Sequence, residues 1–268
     1  MVKILQTTVT LHLRSQLLTK CSGIYNEWQT SSVEETLACN QIAMLVCDMW
    51  DNHWSLGAAE RVNQMAERMN ATLEIARAQG VTIIHAPSET MAYYTGSPAR
   101  ERALNFPTTP APAEMEHQDY LLPVDDSDGG SDTGETAQEP VWICQHPAIW
   151  IDQAKDYITD NGLQVLAILR KLEIKRLLIM GVHTNMCILN RSFAIKQMVR
   201  WGMPVALVRD LTDALYNPAR PPYVSHDQGT TLMIAYIEKF WCPSISSADF
   251  SPVEPSSFGM GLAGKEDR

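Results

Sequence analysis

Short, wholly apolar runs alternate along the chain with longer stretches whose apolar residues recur at helical spacing. The first run is Ile42 to Val46 (IAMLV), ending in Cys47-Asp48. Val62, Met65, Ala66, Met69, Leu73 and Ile75-Ala76 then put an apolar side on a helix from about 58 to 78, which Gln79-Gly80 stops. VTIIHAP (81–87) is the next buried strand, and VWIC (141–144) resumes the sheet. A helix over 162–172, a strand over 176–180, a helix from the region of Cys187 to Trp201-Gly202, the strand MPVALV (203–208) and a last helix over 228–240 complete the pattern. Apolar residues fill these strands continuously instead of alternating, which implies a parallel sheet covered on both faces. The expected fold class is α/β: a doubly wound, mostly parallel sheet of about six strands with helices on both faces, a Rossmann-type three-layer arrangement.

The pattern also sets expected boundaries. Residues 1–41 read as an irregular arm, 42–250 as one domain with a long insertion at 88–140, and 251–268 as a polar tail. The insertion is rich in Pro, Gly, Asp, Ser and Thr, and a connection of that length is a functional loop or a disordered segment. Its acidic stretch DDSDGGSDTGETAQE (125–139) lacks EF-hand spacing and reads as solvated surface or a mobile lid. Asp210 and Asp213, in RDLTDALYNP, read as loop carboxylates that accept backbone N–H groups.

Composition narrows the partners. A net charge of −10 without a Lys/Arg cluster argues against nucleic acid. The 45% hydrophobic and 19% charged content suits a globular chain with a real core. Six cysteines lie far apart without CxxC pairs, which suits reduced thiols better than a disulfide framework. The first residues lack the continuous apolar core of a signal peptide, and nothing approaches a membrane span. The expectation is a cytoplasmic protein that meets a small-molecule substrate, with no membrane or nucleic-acid partner.

In doubly wound sheets ligands bind beyond the carboxyl ends of the strands. Asp48, Gln145-His146 and the GVHTNMC turn (181–187) all fall there. Thr184 or Asn185 is placed to cap the helix at Cys187, whose first turn offers N–H groups and a dipole that favour an anion. Such a thiol is either inert packing or a nucleophile with a lowered pKa. A carboxylate beside it could take its proton and return it to a leaving group.

The segments LVCDMWD, WICQHPAI and GVHTNMCILNRSFAIKQMVRWGMPVALVRDLTDA resemble the isochorismatase-like cysteine hydrolases, a superfamily that includes nicotinamidases, N-carbamoyl amide hydrolases and isochorismatases. The resemblance covers roughly 42–240 and implies an Asp–Lys–Cys triad. Asp48 matches the general base and Cys187 the nucleophile. A cis peptide would fall between Val182 and His183, and the backbone N–H groups of His183 and Cys187 would form the oxyanion hole. Homo-oligomers are common among such relatives.

Two departures stand out. Gln145 occupies the position of the family lysine, and it cannot carry charge; Lys155, ten residues on, is not carried into that role. After Asp48 the chain reads DMWDNHW (48–54), so Trp50, His53 and Trp54, with His85 and His146, are the expected substrate-binding residues. Asp51, His53 and His85 are suitable metal ligands chemically. Their spacing does not match the family's metal motif, so they read as hydrogen-bonded structural groups and no metal or other cofactor is expected. The expected function is a cysteine hydrolase of a small amide, ureido or related carbonyl compound. The alternatives are vinyl-ether hydrolysis, with Asp48 as acid and Cys187 dispensable, and a non-catalytic binding protein that lost the family lysine.

Overall fold

The computed structural model describes residues 7–21, 25–107 and 110–250. Its centre is a parallel sheet of strands β3 (Ile42–Cys47), β4 (Thr82–Ala86), β5 (Tyr157–Ile158), β6 (Arg176–Val182), β7 (Val205–Asp213) and β8 (Ser244–Ile245). Helices α1 (Leu56–Gln79), α2 (Pro98–Leu104), α3 (Gly162–Lys171), α4 (Cys187–Asn190), α5 (Ile195–Arg200) and α6 (His226–Phe240) complete an α/β fold.

Each strand divides its residues between two cores. Ala43, Leu45 and Cys47 of β3 join Leu177 and Ile179 of β6 in a core against α3, α5 and α6. Met44 and Val46 join Leu178, Met180 and Val182 in a core against α1. That two-sided burial is why the strands read as unbroken apolar runs. Ser55 caps α1 by accepting the Ala58 N–H, and Gly80 ends it with φ 98°.

Several expectations change. The segment before residue 42 is not an irregular arm. Strands β1 (Thr8–Cys21) and β2 (Tyr25–Ala38) form a long antiparallel hairpin and extend the sheet to eight strands, in the order β2-β1-β8-β7-β6-β3-β4-β5. Val9, Leu11 and Leu13 enter the α1-side core, whereas most of β2 is exposed. Half-buried strands with that pattern carry too few apolar residues to stand out in a sequence of buried runs.

VWIC is not a strand. Only the Trp50–Gln145 bridge forms there, and the strand beside β4 is the two-residue β5. The insertion is partly ordered as α2, and its acidic stretch is anchored. Arg61 holds Asp132 with two hydrogen bonds (2.8 and 3.1 Å), Asn185 holds Asp126 (2.8 Å), and Asn217 holds Asp128 (3.0 Å). Asp213 ends β7 and takes Arg61 Nε (2.9 Å), His226 and Thr230 side chains in place of loop N–H groups, whereas Asp210 does accept the Ser247 N–H. The expected polar tail lies outside the described residues.

β3 and β6 are in register with Cys47 beside Gly181. Gly181 has φ 116°, and a Cβ there would stand 2.0 Å from the Cys47 carbonyl oxygen. Only glycine lets the two strand ends meet so closely, which sets Asp48 next to the 181–187 turn. Gly181→Ala is expected to cost at least about 2 kcal/mol, from strain at positive φ and overpacking together. Gly80→Ala, at φ 98° with open space around it, should cost about 1 kcal/mol. Urea unfolding of both variants checks the ranking, and equal losses would remove the close-approach argument.

Candidate active site

Asp48 leaves the end of β3 with φ 48°, a strained conformation for a residue with a Cβ, and is fully buried. Such a carboxylate must be hydrogen-bonded or paired. Oδ1 accepts the Ser88 N–H (2.7 Å) and Oδ2 accepts Arg191 Nε–H (2.9 Å). The Cys187 thiol also hydrogen-bonds to it. Burial raises the Asp48 pKa above the ordinary aspartate value, against the opposing pull of Arg191 and these hydrogen bonds.

Cys187 is the first residue of α4, so its own N–H has no intrahelical acceptor. The His183 N–H donates toward its sulfur, and the Val182–His183 peptide is cis. The expected thiol acidity is reversed. Burial first, then the Asp48 charge, push the Cys187 pKa well up. A four-residue helix has too little dipole to outweigh those two effects. The resting site is therefore a neutral thiol on a buried carboxylate.

Thr184 and Asn185 do not cap α4. Thr184 pairs with Thr212 (2.8 Å), and Asn185 bonds Asp126 and both backbone groups of Leu215. The single helix expected from Cys187 to Trp201 is interrupted instead. Arg191 takes extended angles (φ −60°, ψ 153°) and separates α4 from α5. Its guanidinium spans Asp48 (2.9 Å) and Glu89 (3.1 Å).

Sequence reasoning missed Arg191. The signal was present, because it follows Cys187 by four residues, one helical turn. Gln145 does not stand in that place. Its side chain accepts His85 Nδ1–H (2.9 Å) and donates to the Ile149 carbonyl (3.1 Å).

The open space beside Cys187 is a cleft of about 310 Å³. Trp50, Trp54, Trp142, Met186 and Leu215 supply its apolar lining, and Glu89, His53, His183 and Arg191 its charged or imidazole groups. Trp50 and Trp142 stack with centroids 4.2 Å apart. Gly129, Gln138 and Pro140 belong to the insertion, which with Trp142 just beyond it builds one wall.

Among the expected substrate-binding residues, Trp50, His53 and Trp54 line this cleft. His85 and His146 do not. His85 lies fully buried between Gln145 and Asp156, and His146 bonds Asn63 (2.6 Å) in a separate small cavity. Asp51, His53 and His85 also go to different partners. Asp51 accepts the Ile143 and Cys144 N–H groups, and His53 accepts the Ser55 N–H.

No family model matches the chain, and no curated protein matches it. Several solved structures are similar to it. A cysteine hydrolase from Pseudomonas syringae pv. phaseolicola is 15% identical, over 80% of this chain and 92% of its own, with a TM-score of 0.49. A putative isochorismatase from Burkholderia xenovorans is 16% identical over 80% and 90%, with a TM-score of 0.45. PnC1 from L. infantum, in complex with nicotinate, is 13% identical over 80% and 96%, with a TM-score of 0.41.

The Asp48–Cys187 contact gives an outcome of opposite signs. Asp48→Asn removes a negative charge that holds the thiol protonated, so alkylation of Cys187 by iodoacetamide at pH 8 should accelerate. Peptide mapping of wild type and variant checks this. An unchanged rate in the variant would mean that Asp48 does not face the thiol.

Proposed function

We propose that the protein is a cysteine hydrolase of small amides, with Cys187 as nucleophile, Asp48 as the proton carrier and Arg191 as the cation that makes Asp48 usable. The observation that carries this reading is the fully buried Asp48 carboxylate, held between the Cys187 thiol and the Arg191 guanidinium beside the cleft.

The chemistry follows from where protons rest. As Cys187 sulfur attacks the substrate carbonyl carbon, its proton passes to Asp48 and the carbonyl electron pair moves to oxygen. We assign to that oxygen the Cys187 N–H, and the His183 N–H once it leaves the sulfur. Collapse of the tetrahedral adduct breaks the C–N bond, and Asp48 returns the proton to the departing amine. A thioester remains. Water then attacks it, giving a proton to Asp48, and the acid leaves as the thiol is restored.

Arg191 does no proton transfer, because a guanidinium stays charged. It lowers the cost of an ionised Asp48 and then of a transient thiolate. Glu89 holds its far side. An arginine thus serves where the resemblance implied a lysine, from the end of the short helix that begins at Cys187.

Asp48 must be ionised to accept the thiol proton, so the acid limb of kcat/KM reports its pKa. Burial places that limb above the ordinary aspartate range. Arg191→Met removes a group that lowers the Asp48 pKa, so the limb should move to higher pH and activity at neutral pH should fall. Arg191→Lys should shift it less. A pH profile that ignores Arg191→Met would remove the cation from the mechanism. Cys187→Ala should lower amide hydrolysis at least about a thousandfold, and intact-mass analysis of the quenched wild type should show an acyl adduct on Cys187. Persistent turnover in Cys187→Ala would favour vinyl-ether chemistry on Asp48 instead.

A further inference from the structure

Glu89 is the charged side chain of this cleft that the proposed reaction uses least. Its side chain is 48% exposed and lines the cleft beside Cys187, so its carboxylate is open to what enters. Oε1 accepts from Arg191 Nη1 (3.1 Å), and Oε2 has no hydrogen-bond partner among the described residues. The backbone holds the residue in place. Glu89 has φ 67°, a left-handed conformation that glutamate seldom adopts. Its N–H donates to Asp160 (3.3 Å), and the preceding Ser88 N–H donates to Asp48 (2.7 Å). Two successive amides bound to two carboxylates thus fix the turn that carries Glu89.

Charge in the cleft does not cancel. Asp48 and Glu89 share Arg191, the one cation among the residues that line it, and the Cys187 thiol is neutral. Burial lowers the His53 pKa to about 4 and the His183 pKa to about 3, so neither ring adds positive charge at pH 7. Two carboxylates against one guanidinium leave a net negative charge. Asp126 and Asp128, just before the cleft-lining Gly129 in the chain, are bonded by the amides of Asn185 and Asn217, which leave their charge in place. A cleft of one sign concentrates ligands of the other and repels its own.

The remaining wall is aromatic. Trp50 and Trp142 stack at 4.2 Å, His53 stacks on Trp142 at 5.7 Å, and Trp54 lies 5.2 Å from His53. Trp54 and Trp142 are half-buried and line the cleft with Glu89. Tryptophan rings beside a carboxylate suit a weakly hydrated organic cation. We infer that the substrate is an amide bearing an ammonium group, with Glu89 as its counter-ion and the tryptophan wall as its aromatic surface. The inference rests on the amide-hydrolase reading above and names its substrate class more closely. Arg191 bridges Asp48 and Glu89, so Glu89 stands one guanidinium beyond the carboxylate that meets the thiol. A carbonyl and an ammonium a few carbon atoms apart can therefore meet both ends of the site.

Amides of equal length separate charge from shape. 4-(Trimethylammonio)butanamide and 5,5-dimethylhexanamide differ only in a quaternary nitrogen replaced by carbon, and 5-amino-5-oxopentanoate carries a carboxylate at the same end. Ammonia release should give the cationic amide a kcat/KM about five- to thirtyfold above the neutral one, with the anionic amide lowest. Glu89→Gln also disturbs Arg191, and that effect should change all three rates together. Loss of the counter-ion should in addition cut the cationic-to-neutral ratio about two- to fivefold, and Glu89→Asp should cut it less. A wild-type ratio near one, or a preference for the anionic amide, overturns the inference. Binding supplies a readout that needs neither turnover nor a variant. Choline should shift the tryptophan fluorescence of the wild-type protein at concentrations about five- to thirtyfold below those needed of its uncharged isostere, 3,3-dimethylbutan-1-ol. Equal midpoints overturn the inference. If none of the amides is hydrolysed and no acyl adduct forms on Cys187, the hydrolase reading fails instead, and the choline titration still decides this one.

Discussion

An ionisable carboxylate with no exposed surface is the constraint around which the rest of this site is arranged. Asp48 sits at the end of a fully buried strand, where isolated charge is prohibitively expensive. Its surroundings answer that cost one group at a time. The chain after β4 turns so that the Ser88 N–H reaches Oδ1, and the chain after α4 turns so that Arg191 reaches Oδ2. Glu89 then holds the outer side of the guanidinium. These contacts tie together the ends of β3, β4 and β6, the three strand ends nearest Cys187.

The same burial explains why the cysteine rests as a thiol. A nucleophile is usually pictured as activated by a lowered pKa, yet here low polarity and a neighbouring carboxylate both work against the thiolate. In the proposed reaction the proton, once passed to Asp48, would be in place for the leaving amine, and Arg191 would make the carboxylate able to give it up and take it back. Acid–base matching, not a standing charge, is what the pair would provide.

The insertion has a different part in the design. Its acidic composition suggested solvated surface, but Arg61, Asn185 and Asn217 anchor it through carboxylates spaced along its length. With those anchors made, Trp142 stacks on Trp50 and completes the apolar wall. The shape of the cleft is thus set largely by a segment without regular structure.

The central fold was legible because buried parallel strands leave unbroken apolar runs and amphipathic helices leave a helical period, both local signals. Asp48, Cys187 and the cis peptide at Val182–His183 were legible through their position in the motifs that carry the resemblance. The sequence by itself therefore determined the α/β sheet and the meeting of Asp48 with the 181–187 turn at its strand ends. Tertiary structure decided everything that depends on where long side chains end. It recruited Arg191 from beyond the nucleophile, drew Gln145 away to His85, and parted His85 and His146 from the cleft that holds Trp50, His53 and Trp54. It also paired residues 8–21 with residues 25–38 as antiparallel strands, because half-exposed strands need only a few apolar residues to dock. The physical reason is common to all of these. Backbone pattern is encoded over a few neighbouring residues, whereas the partner of a buried charge is whichever group the folded chain brings within about three ångströms.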